Sequence, residues 1–368
     1  MSREIADLTF GNNDALLDHD VEPKMIRPPT NLASFKRKAP NFAYWLAYTI
    51  IAATVLVVNL TTDALRYADM DTYIYYLNSL VYFPPDSLMY FEVFSNIYLL
   101  ASYWFMQSDV YGVVLAHYVL GFIFVLGLRF VIPPGKASWA ALLFTFALVG
   151  PLLAFVTIRA TPAYFLVAVA TQLAMNRRWT SWVILSAAAM FHISALLAAI
   201  PMAILYFDHV LPEPLRDGGS RKISVSIILA IAVFGAVIPT LSVNITDLIQ
   251  SIPVISKYSA YAISGSSETK IEHLIFFGFV ASLTVLFMIA QTTQSKKLTS
   301  YVIASFVIYA VIFFSTSPVA AYRQAPFWLI SLIAVLPWAR VGVKGPTVYV
   351  FVMICAGMFA FQFQGVYS

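Results

Sequence analysis

Charge is what this sequence has least of. Of its 368 residues only 11% are Asp, Glu, Lys or Arg, while 60% are apolar. The mean hydropathy is +0.80. With 29 Phe, 21 Tyr and 7 Trp, that balance excludes an ordinary soluble domain. Cysteine is nearly missing too. Cys355, in the last apolar run, rules out a disulfide framework and any cysteine-based zinc site. There is no internal repeat, Walker loop, dinucleotide fingerprint or HExxH, and neither a cofactor nor a nucleic-acid partner is expected. The first 40 residues carry no apolar core, so no cleavable signal peptide is expected.

What is present is a series of apolar runs of about 17–25 residues, the length that crosses a bilayer as a helix. The chain has room for about ten of them. The expectation is therefore an all-α polytopic integral membrane protein with re-entrant helices, built as one catalytic membrane domain over residues 40–368. Residues 1–39 are polar and end in Lys36-Arg37-Lys38. They read as a flexible cytoplasmic tail that holds the N-terminus inside. Residues 41–60 then cross outward.

Residues 88–107 decide the rest of the topology. They hold Glu92, Asn96 and several tyrosines, so they read as a helix that enters the outer leaflet without crossing. Spans follow at 110–130, 138–157 and 160–175. Residues 180–207 form a hairpin of two short helices with His192 at its tip, and further spans lie near 223–242, 272–291, 299–317, 321–339 and 347–364. Of the 22 Lys and Arg, only Arg66, Arg159, Lys257, Lys270 and Arg323 fall outside, which satisfies the positive-inside rule. External loops are expected at 61–87 and 243–270, the latter able to cover or gate a site.

The outer stretch 63–92, DALRYADMDTYIYYLNSLVYFPPDSLMYFE, concentrates charge and tyrosine beside a membrane segment. Ionisable groups there are costly unless solvated or functional. Arg66, Arg159 and Arg323 each stand at the external end of a span. One alone fits an interfacial anchor; three on one side fit an oxyanion site, since the guanidinium fork binds phosphate bidentately. Asp69, Asp71 and Glu92 are the acids placed to meet them. Glu92 has the better claim to base chemistry, because a carboxyl in an apolar helix is expected to have a raised pKa. Asp69-Met70-Asp71 has the D-x-D spacing of metal-using glycosyltransferases, a spacing also common by chance. His192 sits between apolar residues and fits a structural or an assisting role. The tyrosines, Tyr75 among them, fit an interfacial belt or platforms for sugar rings.

The order of these features resembles the EpsG-type group of bacterial polysaccharide polymerases, related to the Wzy O-antigen polymerases. It runs Arg66…Asp71…Tyr75, then Phe91-Glu92, Ile158-Arg159, Phe191-His192-Ile193-Ser194-Ala195-Leu196, Lys257-Tyr258-Ser259-Ala260-Tyr261 and a late Arg323 beside Tyr322. Ala160-Thr161-Pro162 after Arg159 and Ala68 before the first acid depart from the usual residues. The resemblance implies a glycosyltransferase-C-like polymerase of the bacterial inner membrane with its site facing the periplasm. It would move a growing glycan from undecaprenyl diphosphate onto an incoming lipid-linked repeat unit, without a metal, alongside a separate Wzz-like chain-length regulator. Arg159 and Arg323 would hold the diphosphate and Arg66 would share it or orient Asp71. Asp69, Tyr75, Tyr258 and Tyr322 would line the substrate, Glu92 or Asp71 would take the acceptor proton, and His192 would assist. Other readings remain open. They are a polyprenyl-linked-sugar glycosyltransferase or O-antigen ligase, a flippase for the same lipids, and an O-acyltransferase using His192.

Overall fold

The computed structural model describes residues 41–82, 92–135, 137–207, 271–290, 298–315, 318–341, 343 and 345–367. The tail 1–39, the expected span 223–242, the loop 243–270 with Tyr258, and the end of the 61–87 loop beyond Tyr82 lie outside those residues. Among the described residues the regular elements are helical, and Tyr67 and Tyr367 form an isolated antiparallel bridge.

The chain enters through α1 (Phe42–Thr61), makes a 3-10 turn at Ala64–Arg66 and continues into α2 (Met70–Tyr82). Helices α3 (Val93–Met106) and α4 (Asp109–Val131) follow, packed on each other. Gln107 adopts a left-handed conformation (φ 54°) to end α3, and the Ser108 hydroxyl caps α4 by accepting from Tyr111 N–H. Gly112 lets the backbone of Tyr103 come close: a Cβ there would lie 3.1 Å from Tyr103 Cα. At 14 residues α3 is about 21 Å long, and the 15-residue helix Ala160–Ala174 is nearly the same, both shorter than the roughly 30 Å hydrocarbon core.

Helix α5 (Ser138–Phe155) is the centre of the molecule. It is buried along most of its length and packs on α1 and α4 and on the later helices α12 (Pro326–Val335) and α13 (Thr347–Val366). Between these lie α6 (Ala160–Ala174), α7 (Thr180–Phe191), α8 (Ala199–Tyr206), α9 (Ile271–Ala290), α10 (Thr299–Ser315) and α11 (Pro318–Gln324). Among the described residues five helices are long and apolar enough to cross a membrane: α1, α4, α5, α9 from Glu272, and α13. Large apolar side chains such as Phe105, Phe130, Tyr349 and Met353 are exposed, as expected where lipid replaces water.

Two local features matter for the site. The 180–207 segment is a hairpin: Trp182 near the start of α7 meets Tyr206 at the end of α8, with ring centroids 6.0 Å apart, and His192 stands at the turn in extended conformation. The expected single span 321–339 is instead divided into α11 and α12. Pro326 is the reason, since it has no N–H for the Tyr322 carbonyl one turn back and its ring crowds that oxygen. Arg323 therefore ends a short helix beside a joint, where a side chain can face a cavity.

Candidate functional site

The turn between α5 and α6 is stapled by its own threonines. Thr157 donates its hydroxyl to Leu152 O at 3.1 Å and lies 2.8 Å from the Thr161 hydroxyl, which donates to Leu153 O at 2.7 Å. Leu152 O also accepts from the Val156 and Thr157 N–H groups, and the Thr161 hydroxyl takes up Leu153 O at the end of α5. These bonds hold Arg159 at the start of α6. A similar staple sets Glu92 against His192: the Ser95 hydroxyl on the first turn of α3 donates to Phe191 O at the end of α7.

Glu92 is the residue these two staples position. It is only 1% exposed. Its Oε2 accepts from Arg159 Nη1 at 2.8 Å, and its Oε1 meets His192 Nδ1 at 3.1 Å and Ile193 N–H at 3.3 Å. A carboxylate only accepts, so this contact places the imidazole proton on Nδ1 and leaves Nε2 as the acceptor. Nε2 lies 3.2 Å from the Ser194 hydroxyl. Arg159 is also flanked by rings: its guanidinium lies 4.3 Å from the centroid of Tyr76 and 5.6 Å from that of Tyr73. Burial works against the Arg159 charge, but Glu92 and the two tyrosines outweigh it and hold its pKa above the ordinary arginine value. Burial pushes the Tyr76 phenol upward against the pull of Arg159, so it stays neutral and donates to Asn96 Oδ1 at 2.6 Å.

Arg323 supplies the second cation. Its Nη2 contacts Asp69 Oδ2 at 2.7 Å, and Tyr164 on α6 donates to its main-chain oxygen at 2.7 Å. Asp69 has φ 70°, a conformation that costs a residue with a side chain about 1–3 kcal/mol and needs surrounding contacts to persist. The ion pair to Arg323 is one such contact. Arg159 and Arg323 line one cavity of about 230 Å³, together with Asp69, Tyr73, Tyr164 and His192. Arg159 Nε is buried without a hydrogen-bond partner among the described residues.

The EpsG family model matches residues 43–367. The chain belongs to the EpsG family. Membership implies a polysaccharide-polymerase-like role in polysaccharide biosynthesis, and the apolar helices fit a membrane protein. No curated protein and no solved structure matches the chain.

Within this EpsG-family chain the residues singled out from the sequence part into groups. Arg159, Arg323, Asp69 and His192 meet at the cavity, with Glu92 directly behind Arg159 and His192. Arg66 is two-thirds exposed, pairs with Asp63 at 3.9 Å, and is absent from the cavity lining. Asp71 and Tyr75 occupy the exposed face of α2. The D-x-D acids therefore stand in different surroundings, Asp69 on Arg323 and Asp71 exposed. Among the described residues no three His, Cys, Asp or Glu come together as metal ligands do. Tyr322 is away from this cavity, donating to Gln362 Oε1 at 2.6 Å. Sequence reasoning passed over Ser194, Tyr164 and Asn96. Ser194 stood in the Phe-His-x-Ser run that was noticed. Asn96 was legible as a polar residue in an apolar segment but its partner Tyr76 was not, and nothing local marks Tyr164, whose partner is Arg323.

Proposed function

We propose that this protein polymerises lipid-diphosphate-linked oligosaccharide repeat units by glycosyl transfer at the periplasmic face of the bacterial inner membrane. The observation that carries the reading is that Arg159 and Arg323, far apart in sequence, line one cavity with His192. In the transfer, an acceptor hydroxyl bonds to the anomeric carbon of the donor sugar. The bond from that carbon to the diphosphate oxygen breaks, and the oxygen keeps the electron pair. Charge grows on the leaving diphosphate, and the two preorganised guanidiniums that line the cavity stabilise it. Arg159 is the fixed donor, held by Glu92, Tyr73 and Tyr76. Arg323 is the exchangeable one, because its pair with Asp69 is more open and phosphate oxygens can replace the carboxylate.

The acceptor proton passes to His192 Nε2. Glu92 or Asp71 was the expected base, but both oxygens of Glu92 are engaged and Asp71 is exposed and absent from the cavity lining. Glu92 is better suited to fix the imidazole and to stabilise the imidazolium that forms. The undecaprenyl chain would lie along the lipid-facing helices, and a separate Wzz-like regulator would set product length.

The test is extension of a purified lipid-linked repeat unit in vitro. Arg159→Ala, Arg323→Ala and Glu92→Gln are each expected to lower the rate of ladder formation by about 10²–10³-fold. A ladder that persists in all three variants overturns the mechanism. The same assay separates a metal-dependent glycosyltransferase: because Asp69 and Asp71 occupy different surroundings, the ladder is expected to survive EDTA.

A further inference from the structure

A second cavity, of about 470 Å³, lies on the other side of α11. Beside aliphatic side chains such as Leu152, Val156 and Val366, its lining holds polar and ring-bearing groups: Glu272, Tyr322, Phe361, Gln362, Gln364 and, again, Arg323. The helical period explains how one short helix serves both cavities. Ala320, Arg323 and Gln324 face the first, while Val319, Tyr322 and Arg323 face the second. The adjoining chain is divided in the same way, with Asp69 at the first cavity and Ala68 at the second. The Arg323–Asp69 ion pair thus stands in the partition between them.

We infer that this second cavity binds a carbohydrate, and that in the reaction proposed above it holds the acceptor glycan while the first cavity holds the donor's diphosphate. The inference rests on that reading for the acceptor role, and on the lining alone for the sugar. A carboxylate and two carboxamides offer donors and acceptors of the kind that pair with sugar hydroxyls. The rings offer apolar faces to the sugar's C–H surface. Tyr322 is fixed on both counts, its ring edge-on to Phe276 with centroids 4.7 Å apart and its hydroxyl on Gln362. A hydrocarbon tail in the same place would desolvate Glu272 and Gln364 and offer them no hydrogen bond, an unfavourable exchange. The volume is in the range of small-molecule sites, about 300–1,000 Å³, and is twice that of the first cavity. Group transfer between two bound sugars also needs their sites to meet at one point. The partition meets this need at Arg323, where an acceptor hydroxyl can reach the anomeric carbon beside the diphosphate.

The experiment measures binding to the full-length purified protein with two probes. One is the repeat-unit oligosaccharide freed by mild acid from the host's own lipid carrier, which has neither lipid nor diphosphate. The other is inorganic diphosphate. Phe361 and Gln364 are exposed, so Phe361→Ala and Gln364→Ala should leave the fold intact. Each is expected to weaken oligosaccharide binding by about tenfold and to leave diphosphate binding unchanged. Arg159→Ala is expected to do the reverse. In turnover, the same two variants should raise KM for the acceptor with little change in kcat. Oligosaccharide binding that neither variant alters overturns the assignment, as does full competition by a free polyprenol. If the binding pattern holds and no ladder forms, the polymerase reading falls and the sugar site stands. If a ladder forms and acceptor KM is unmoved by both variants, the site assignment falls alone.

Discussion

Arg159 shows how one side chain can be kept charged, oriented and still available in an apolar setting. Glu92 neutralises it from behind, the rings of Tyr73 and Tyr76 flank it, and the residue still lines the cavity. An ammonium keeps the charge but lacks the planar fork that reaches Glu92 while lying against the tyrosine rings. Arg159→Lys is therefore expected to keep the protein folded but lower ladder formation by about 10–100-fold, short of the loss in Arg159→Ala. Glu92→Ala is a different kind of change. It strands a buried cation, and breaking a buried pair costs about 3–5 kcal/mol, so Tm in detergent should fall sharply. Activity of the surviving folded fraction should fall too, because the imidazole loses its holder. A Glu92→Ala protein with unchanged Tm would contradict the pairing. Much of this residue-scale picture could be read from the sequence, since ionisable groups are rare enough in this chain to be conspicuous. Which ones meet could not. Arg66 and Asp71 looked equivalent to Arg159 and Asp69 along the chain, and only the faces of α2 and its preceding turn separate them.

At the scale of helices, close approach at small residues sets how the elements carrying the site are packed. Gly127 on α4 faces Phe165 on α6: a Cβ there would come within 2.4 Å of the ring. Glycine permits contact that any side chain prevents, a common device between membrane helices. Gly127→Ala must displace Phe165 and is expected to destabilise by about 1–3 kcal/mol, seen as a lower Tm. Since α6 carries Arg159 at its start, a parallel loss of activity would mean that the displacement travels along the helix. Helix boundaries were legible because long apolar runs end at Gly, Pro and charged residues. The division of α11 from α12 was missed, although Pro326 was in plain view. A proline inside an apolar run is tolerated in membranes often enough that its presence alone does not fix a break. The hairpin around His192 was readable from its polar interruption. The aromatic stack of Tyr67, His117, Phe155 and Phe363 was not, because it joins four segments distant in sequence.

Across the whole molecule, the end of the last helix is fastened to the turn that precedes α2. Ala68 N–H donates to Val366 O at 3.0 Å, Tyr67 pairs with Tyr367, and their rings sit 5.2 Å apart. The turn that presents Asp69 is thus held by the last helix as well as by its own neighbours. Cysteine labelling from outside gives a direct check of the overall orientation. A cysteine at position 159 should react with an impermeant maleimide and one at 177 should not, because the 15-residue helix α6 separates them by about 22 Å. Reaction at 177 alone would reverse the orientation. The Tyr67–Tyr367 clasp also has a practical use. Whatever is joined after Tyr367 emerges on the face that carries Asp69, so an enzyme reporter fused there reads out which compartment the sugar chemistry faces. It does so without depending on how many times the intervening chain crosses.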